Sequence, residues 1–144
     1  MELIKEKAIF VLRGGGSSGK TETLLRLCHL LSVISDTFAI ERYSEWTHDC
    51  YGAFYFGNKA VCVGTAGDNK GEIEGNIEFF RKKKASVIFT AVQIKSGRNN
   101  NFDKQLYDFA QSKKYQIVNL EKKDYKTNAE AAYELFKKSF LQEE

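Results

Sequence analysis

The stretch AIFVLRGGGSSGKTETLLRLCHL, residues 8–30, changes character twice within a few positions. It opens on the apolar run AIFVL, with charge before it and glycine after it, the pattern of a strand buried on both faces. From Gly19 the period becomes helical: Leu24, Leu27, Cys28, Leu31 and Ile34 recur along one stripe, widened by Leu25, Leu30 and Val33. Between the two lie Gly14, Gly15, Gly16, Ser17, Ser18 and Gly19, followed at once by Lys20 and Thr21. Glycines there let the backbone turn inward with no side chains in the way, so that several N–H groups converge on one point. The N-terminus of the following helix adds its own N–H groups and its dipole, and both favour an anion.

GGGSSGKT, residues 14–21, fits the spacing GxxxxGK followed by Ser or Thr, placed between a strand and a helix. At average glycine usage, a chance match to four constrained positions in a chain of this length is well under about 1%. On these residues the chain resembles the P-loop nucleoside triphosphate hydrolases and kinases, strongly over residues 8–34 and elsewhere only as α/β architecture. The resemblance implies an α/β chain with a three-layer α/β/α P-loop NTPase fold. It also implies that residues 14–21 bind a nucleoside triphosphate, with Lys20 reaching the β and γ phosphates and the Thr21 hydroxyl on Mg²⁺. ATP is the default nucleotide, since no guanine-reading motif of the NKxD kind follows VIFTA or YQIVNL.

Such a site usually places an acidic residue beyond a neighbouring apolar strand to support the metal. AVCVGTAGD offers Asp68 as that Mg²⁺ carboxylate, against an equal reading in which Asp68 caps the next helix. The segment GTAGD also resembles the DTAG-like turn of small GTPases, with Gly64 where that family has aspartate. Glu41, near the end of TFAIE, stands where small P-loop kinases often keep an acid for the acceptor hydroxyl; pairing with Arg42 or a lysine is its plainer role. Asp49 is a third and weaker candidate. Arg98, with Lys95 in the loop QIKSGRNNN after VIFTA, falls where ligands sit beyond the carboxyl ends of parallel strands, and resembles the lid arginines of kinases. A solvent loop is the alternative.

The remaining chain alternates strand and helix. TFAIERY is a second strand; YGAFYF and AVCVGT flank Gly57-Asn58-Lys59 as a hairpin, so one strand of an otherwise mostly parallel sheet runs backwards. Helices are predicted over residues 71–83, around Phe102, Leu106, Phe109 and Ala110, and from about 127 to 141 with Thr127 or Asn128 as cap; strands over 85–92 and 115–120. The alternation predicts one α/β domain over residues 1–144.

Composition narrows the function classes. With 42% hydrophobic and 28% charged residues the chain is neither disordered nor membrane-spanning in character. A net charge of +3 is too small to argue for nucleic acid, and the run Arg81-Lys82-Lys83-Lys84 fits a solvated helix end. MELIKEKAIF does not read as a secretory signal, so a cytoplasmic location is expected, with Cys28, Cys50 and Cys62 as reduced thiols. His29 and His48 have no metal-ligand spacing.

Three activities fit. The first is a Mg-ATP phosphotransferase acting on a small molecule or nucleotide, with Lys20, Glu41 and Arg98 as catalytic residues. The second is a nucleotide-dependent switch or slow ATPase working through a protein partner, with residues 43–59 as its responsive surface. A nucleic-acid-remodelling motor subunit is the third and weakest.

Overall fold

A computed structural model describes residues 2–3, 7–14, 19–42, 48–93, 102–121 and 123–142. Strand β2 (Ala8–Gly14) is its axis, after a short β1 (Glu2–Leu3). Residues of a strand alternate between faces, and here Ala8, Phe10 and Leu12 join one apolar cluster while Ile9 and Val11 join another. Being needed on both sides, the strand reads as an unbroken apolar run.

The elements then follow as α1 (Lys20–Ile34), β3 (Thr37–Arg42), β4 (Cys50–Phe56), β5 (Lys59–Gly64), α2 (Lys70–Lys82), β6 (Val87–Gln93), α3 (Phe102–Lys113), β7 (Gln116–Leu120), α4 (Tyr125–Phe140) and β8 (Leu141–Gln142). The six-stranded sheet has the order β3-β4-β5-β6-β2-β7, and β1 pairs with β8 separately. Pairings β5–β6, β6–β2 and β2–β7 are parallel; β3–β4 and β4–β5 are antiparallel. Strand β4 alone therefore runs backwards, as the Gly57-Asn58 turn predicts, and Gly57 takes the left-handed backbone (φ 62°) that such a turn requires.

Helices α1 and α4 supply Leu24, Leu27, Leu31, Ala132 and Phe136 to the Phe10 face. Helices α2 and α3 supply Ile73, Phe80, Leu106 and Phe109 to the Val11 face. Each fully buried Leu, Ile or Phe contributes about 2 kcal/mol through removal of apolar area from water. Among the described residues no helix is long and apolar enough to cross a membrane.

The last helix differs from its expectation. It begins at Tyr125, and Asp124 accepts bonds from the Thr127 N–H (3.0 Å) and hydroxyl (2.8 Å), so neither Thr127 nor Asn128 is the cap. Asn128 instead ties down the preceding loop, accepting from the Lys123 N–H (2.6 Å) and donating to the Glu121 carbonyl. The helix stops at Phe140 because Leu141 and Gln142 pair with β1, a contact between chain ends that local pattern does not reveal.

Candidate functional site at the carboxyl end of β2

Parallel strands β2, β5 and β6 end on the same side of the sheet, and α1 starts there. Gly19 is its N-cap, with φ 85° in the left-handed region and no side-chain cap bond to the helix's first N–H groups. The first N–H groups of a helix point out of its N-terminus, where an anion is favoured. Thr23 secures the turn from behind, its N–H (2.9 Å) and hydroxyl (2.8 Å) both donating to the Gly19 carbonyl.

Lys20 is the first helical residue and only 6% exposed, and its Nζ lies 3.9 Å from Asp68 Oδ1. Asp68 is itself 59% exposed, so this pair is solvent-screened and weak in energy. Its geometry still places the first candidate acid beside the lysine. Capping of α2 falls to Asn69, whose side chain accepts from the Glu72 N–H (2.9 Å), while Glu72 accepts from the Asp68 N–H (2.7 Å). The helix-cap reading of Asp68 is thus taken over by its neighbour.

Asp49 arrives from the other direction. Because β4 runs backwards, its start lies at the same sheet edge as the start of α1. There Asp49 Oδ1 accepts from the Thr21 hydroxyl (3.1 Å) and the Thr65 hydroxyl (2.8 Å), and Thr65 in turn accepts from the Cys50 N–H (2.9 Å). Burial raises the Glu72 carboxyl above its ordinary value, and the nearby Asp68 and Asp49 charges add to the rise. Three carboxylates and one lysine thus share this corner. No group of three or more His, Cys, Asp or Glu among the described residues is arranged to hold a metal by itself. The Thr21 hydroxyl and the Asp49 and Asp68 carboxylates are oxygen donors of the kind that suits Mg²⁺, which takes one or two carboxylates and completes its shell with water and phosphate.

The turn leaving β5 is fixed by backbone contact. A Cβ on Gly67 would lie 2.0 Å from the Ala91 carbonyl oxygen, and the Gly67 carbonyl accepts from the Gln93 N–H (2.9 Å). Gly64, where the GTPase-like turn has aspartate, faces Asn76: a Cβ there would come within 2.6 Å of Asn76 Oδ1. Asn76 is buried and donates to the Ala66 carbonyl (2.5 Å), so the volume an aspartate needs is filled.

Other expected residues fall elsewhere. Gly14 ends β2, whereas Gly15, Gly16, Ser17, Ser18, Lys95 and Arg98 lie outside the described residues. Glu41 is exposed on edge strand β3, in register with Tyr51 and through it Gly64. It stands next to Arg42, which pairs with Cys50, the residue after Asp49, so Glu41 lies at the same end of the sheet as the Thr21–Asp49 contact. Sequence reasoning passed over Arg13, which donates to Asn119 Oδ1 (2.8 Å) and the Tyr107 hydroxyl (2.8 Å) and fastens the end of β2 to β7 and α3. An arginine closing an apolar strand just before a glycine loop is the signal that could have found it.

No family model and no curated protein matches the chain. Among solved structures it is similar to the crystal structure of APE1195, at 15% identity and a TM-score of 0.45, over 96% of this chain and 73% of that one. At that distance the likeness carries no argument.

Proposed function

We propose that the chain is a P-loop protein with the three-layer α/β/α fold of that class, binding Mg-ATP at the start of α1 and transferring its terminal phosphoryl group to a small acceptor. The observation that carries the reading is the meeting of Lys20 with Asp68 and of Thr21 with Asp49 at the start of α1. In this reading the first-turn N–H groups and Lys20 hold the phosphates, which compete with Asp68 for the ammonium. Thr21 with Asp49 or Asp68 supplies oxygen to Mg²⁺, which neutralises phosphate charge. Arg98 remains the proposed lid cation, and Glu41 the acid for an acceptor bound across the sheet edge.

A second reading, a nucleotide switch acting through a protein partner, is favoured by one observation. Strand β3 is exposed throughout, with Phe38 51% and Ile40 48% exposed, and it pairs with the strand that Asp49 begins. Metal binding that draws Thr21 away from Asp49 would be felt in β4 and hence at this edge.

Thermal unfolding with and without Mg-ATP tests binding. At nucleotide a hundredfold above its dissociation constant the wild type gains about 2.7 kcal/mol, and Lys20→Ala gains far less. Equal stabilisation of both proteins refutes the assignment. Transfer of label from ATP to an acceptor then separates the kinase reading from the switch.

A further inference from the structure

At the opposite edge of the sheet, β2, β6 and β7 begin side by side, with Ala8 level with Val87 and Gln116. Helices α2 and α3 end at the same edge, so the residues leading into three strands meet those leaving two helices. A cavity of about 380 Å³ lies among them. It is lined by Phe80, Phe109 and Tyr115, of which Tyr115 is the half-buried ring and the two phenylalanines are buried behind it, and by Lys7, Arg81, Lys84 and Lys113. No acidic side chain is among its described lining residues.

The individual contacts leave this lining cationic. Lys7 donates to the Lys113 carbonyl (3.4 Å) and lies 5.2 Å from the centre of the Tyr115 ring. Arg81 sits 5.5 Å from the Phe109 ring, and its partner Glu78 is on the solvent side of α2, 74% exposed. The Tyr115 hydroxyl is committed to the Ala85 carbonyl (2.5 Å), which leaves the ring as a flat wall. Lys84 holds a left-handed backbone (φ 53°), a conformation that glycine adopts without strain. Helix dipoles account for cations in the last turn of a helix. They do not account for Lys7, which precedes a strand, or for Lys84, which lies past the helix end.

We propose that this cavity binds a small organic anion with a flat apolar body, such as an aromatic phosphate, its ring against Tyr115 and its charge among Lys7, Lys84 and Lys113. The volume falls in the usual range of small-molecule sites, about 300–1,000 Å³. A concave, ring-sized site selects a single aromatic group, whereas a nucleic-acid backbone needs a longer basic track. The site is independent of the proposed nucleotide site, since six residues of β2 at ~3.3 Å each put about 20 Å between Ala8 and Gly14.

The test is calorimetric titration of the full chain with 1-naphthyl phosphate, beside 1-naphthol and inorganic phosphate. Saturable one-to-one binding is expected, at least about tenfold tighter than either fragment because each supplies only half of the recognition. Lys84→Gly removes a cation and suits the backbone, so it should weaken binding about threefold without lowering the melting temperature. Lys84→Gly with Lys113→Ala should lose about tenfold, and Lys20→Ala should change nothing. Absence of saturable binding, or binding unmoved by the double variant, overturns the proposal. Loss of binding in Lys20→Ala overturns it in favour of the β2 carboxyl end, and tighter competition by a single-stranded oligonucleotide reassigns the surface to nucleic acid.

Discussion

Replacing Asp49 by alanine probes the corner where β4 meets α1. One carboxylate oxygen accepts two hydroxyl bonds, from Thr21 at 3.1 Å and Thr65 at 2.8 Å. A hydrogen bond to a charged group contributes about 1.5–3 kcal/mol, so the pair has a ceiling of about 3–6 kcal/mol. Two effects reduce that figure. Asp49 is only half-buried, so water competes for its oxygens, and its removal relieves repulsion at Glu72. Against this, the Thr65 side chain is buried and its hydroxyl loses its acceptor. A net loss of about 2 kcal/mol is expected, or about 6 °C in melting temperature for a chain of this size. Asp49→Asn keeps an oxygen acceptor and should lose about half as much in the absence of ligand, yet bind Mg-ATP more weakly than the wild type. Urea unfolding of the three proteins measures the stability terms. A loss below about 0.5 kcal/mol for Asp49→Ala would show that the hydroxyl bonds do not hold the corner together.

Four further outcomes follow from the same contacts. Gly67→Ala forces a carbon against the Ala91 carbonyl and should destabilise by about 3 kcal/mol in urea unfolding, whereas a neutral result contradicts the backbone crossing. Burial pushes the Tyr115 phenol up to about 12, with the Cys62 charge adding to it, so tyrosinate absorbance should show a late step that Tyr115→Phe abolishes. Because the folded chain then holds a proton that the unfolded chain releases near pH 10, stability should fall between pH 10 and about 12. The Glu72 carboxyl, raised chiefly by burial, likewise costs stability as pH climbs from the ordinary glutamate value through the raised one; Glu72→Gln should flatten that decline, and an unchanged slope argues against it. Burial pushes the Cys62 thiol up to about 12, whereas the hydrogen bond with Cys28 lowers Cys50, so mass spectrometry after brief alkylation should find Cys50 labelled before Cys62.

The local pattern carried the elements well. AIFVL, VIFTAV and the leucine stripe of α1 declare strand, strand and helix because burial on two faces or one stripe leaves a period in the residues. The Gly57-Asn58 turn declared the reversal of β4. What no period records is the order of strands, since nothing in residues 8–12 says that β6 lies on one side and β7 on the other. The reversed β4 brings Asp49 to Thr21 across 28 positions of sequence. Asp49 consequently looked like the weakest of the acids, although its carboxylate accepts from the Thr21 hydroxyl of the motif. Arg81 to Lys84 read as a helix end because the convergence of Arg81 and Lys84 with Lys7 and Lys113 depends on three strands starting at one edge. The Gly64 departure from the GTPase-like turn was visible, but its cause, the buried Asn76 side chain, was not.

The most direct measurement of the central claim is calorimetric titration of the wild-type chain with ATP, with and without Mg²⁺, repeated on Lys20→Ala. One saturable site per chain is expected, tighter with Mg²⁺ and abolished by the substitution. Heats that show no saturable site, or a site that Lys20→Ala leaves intact, contradict it.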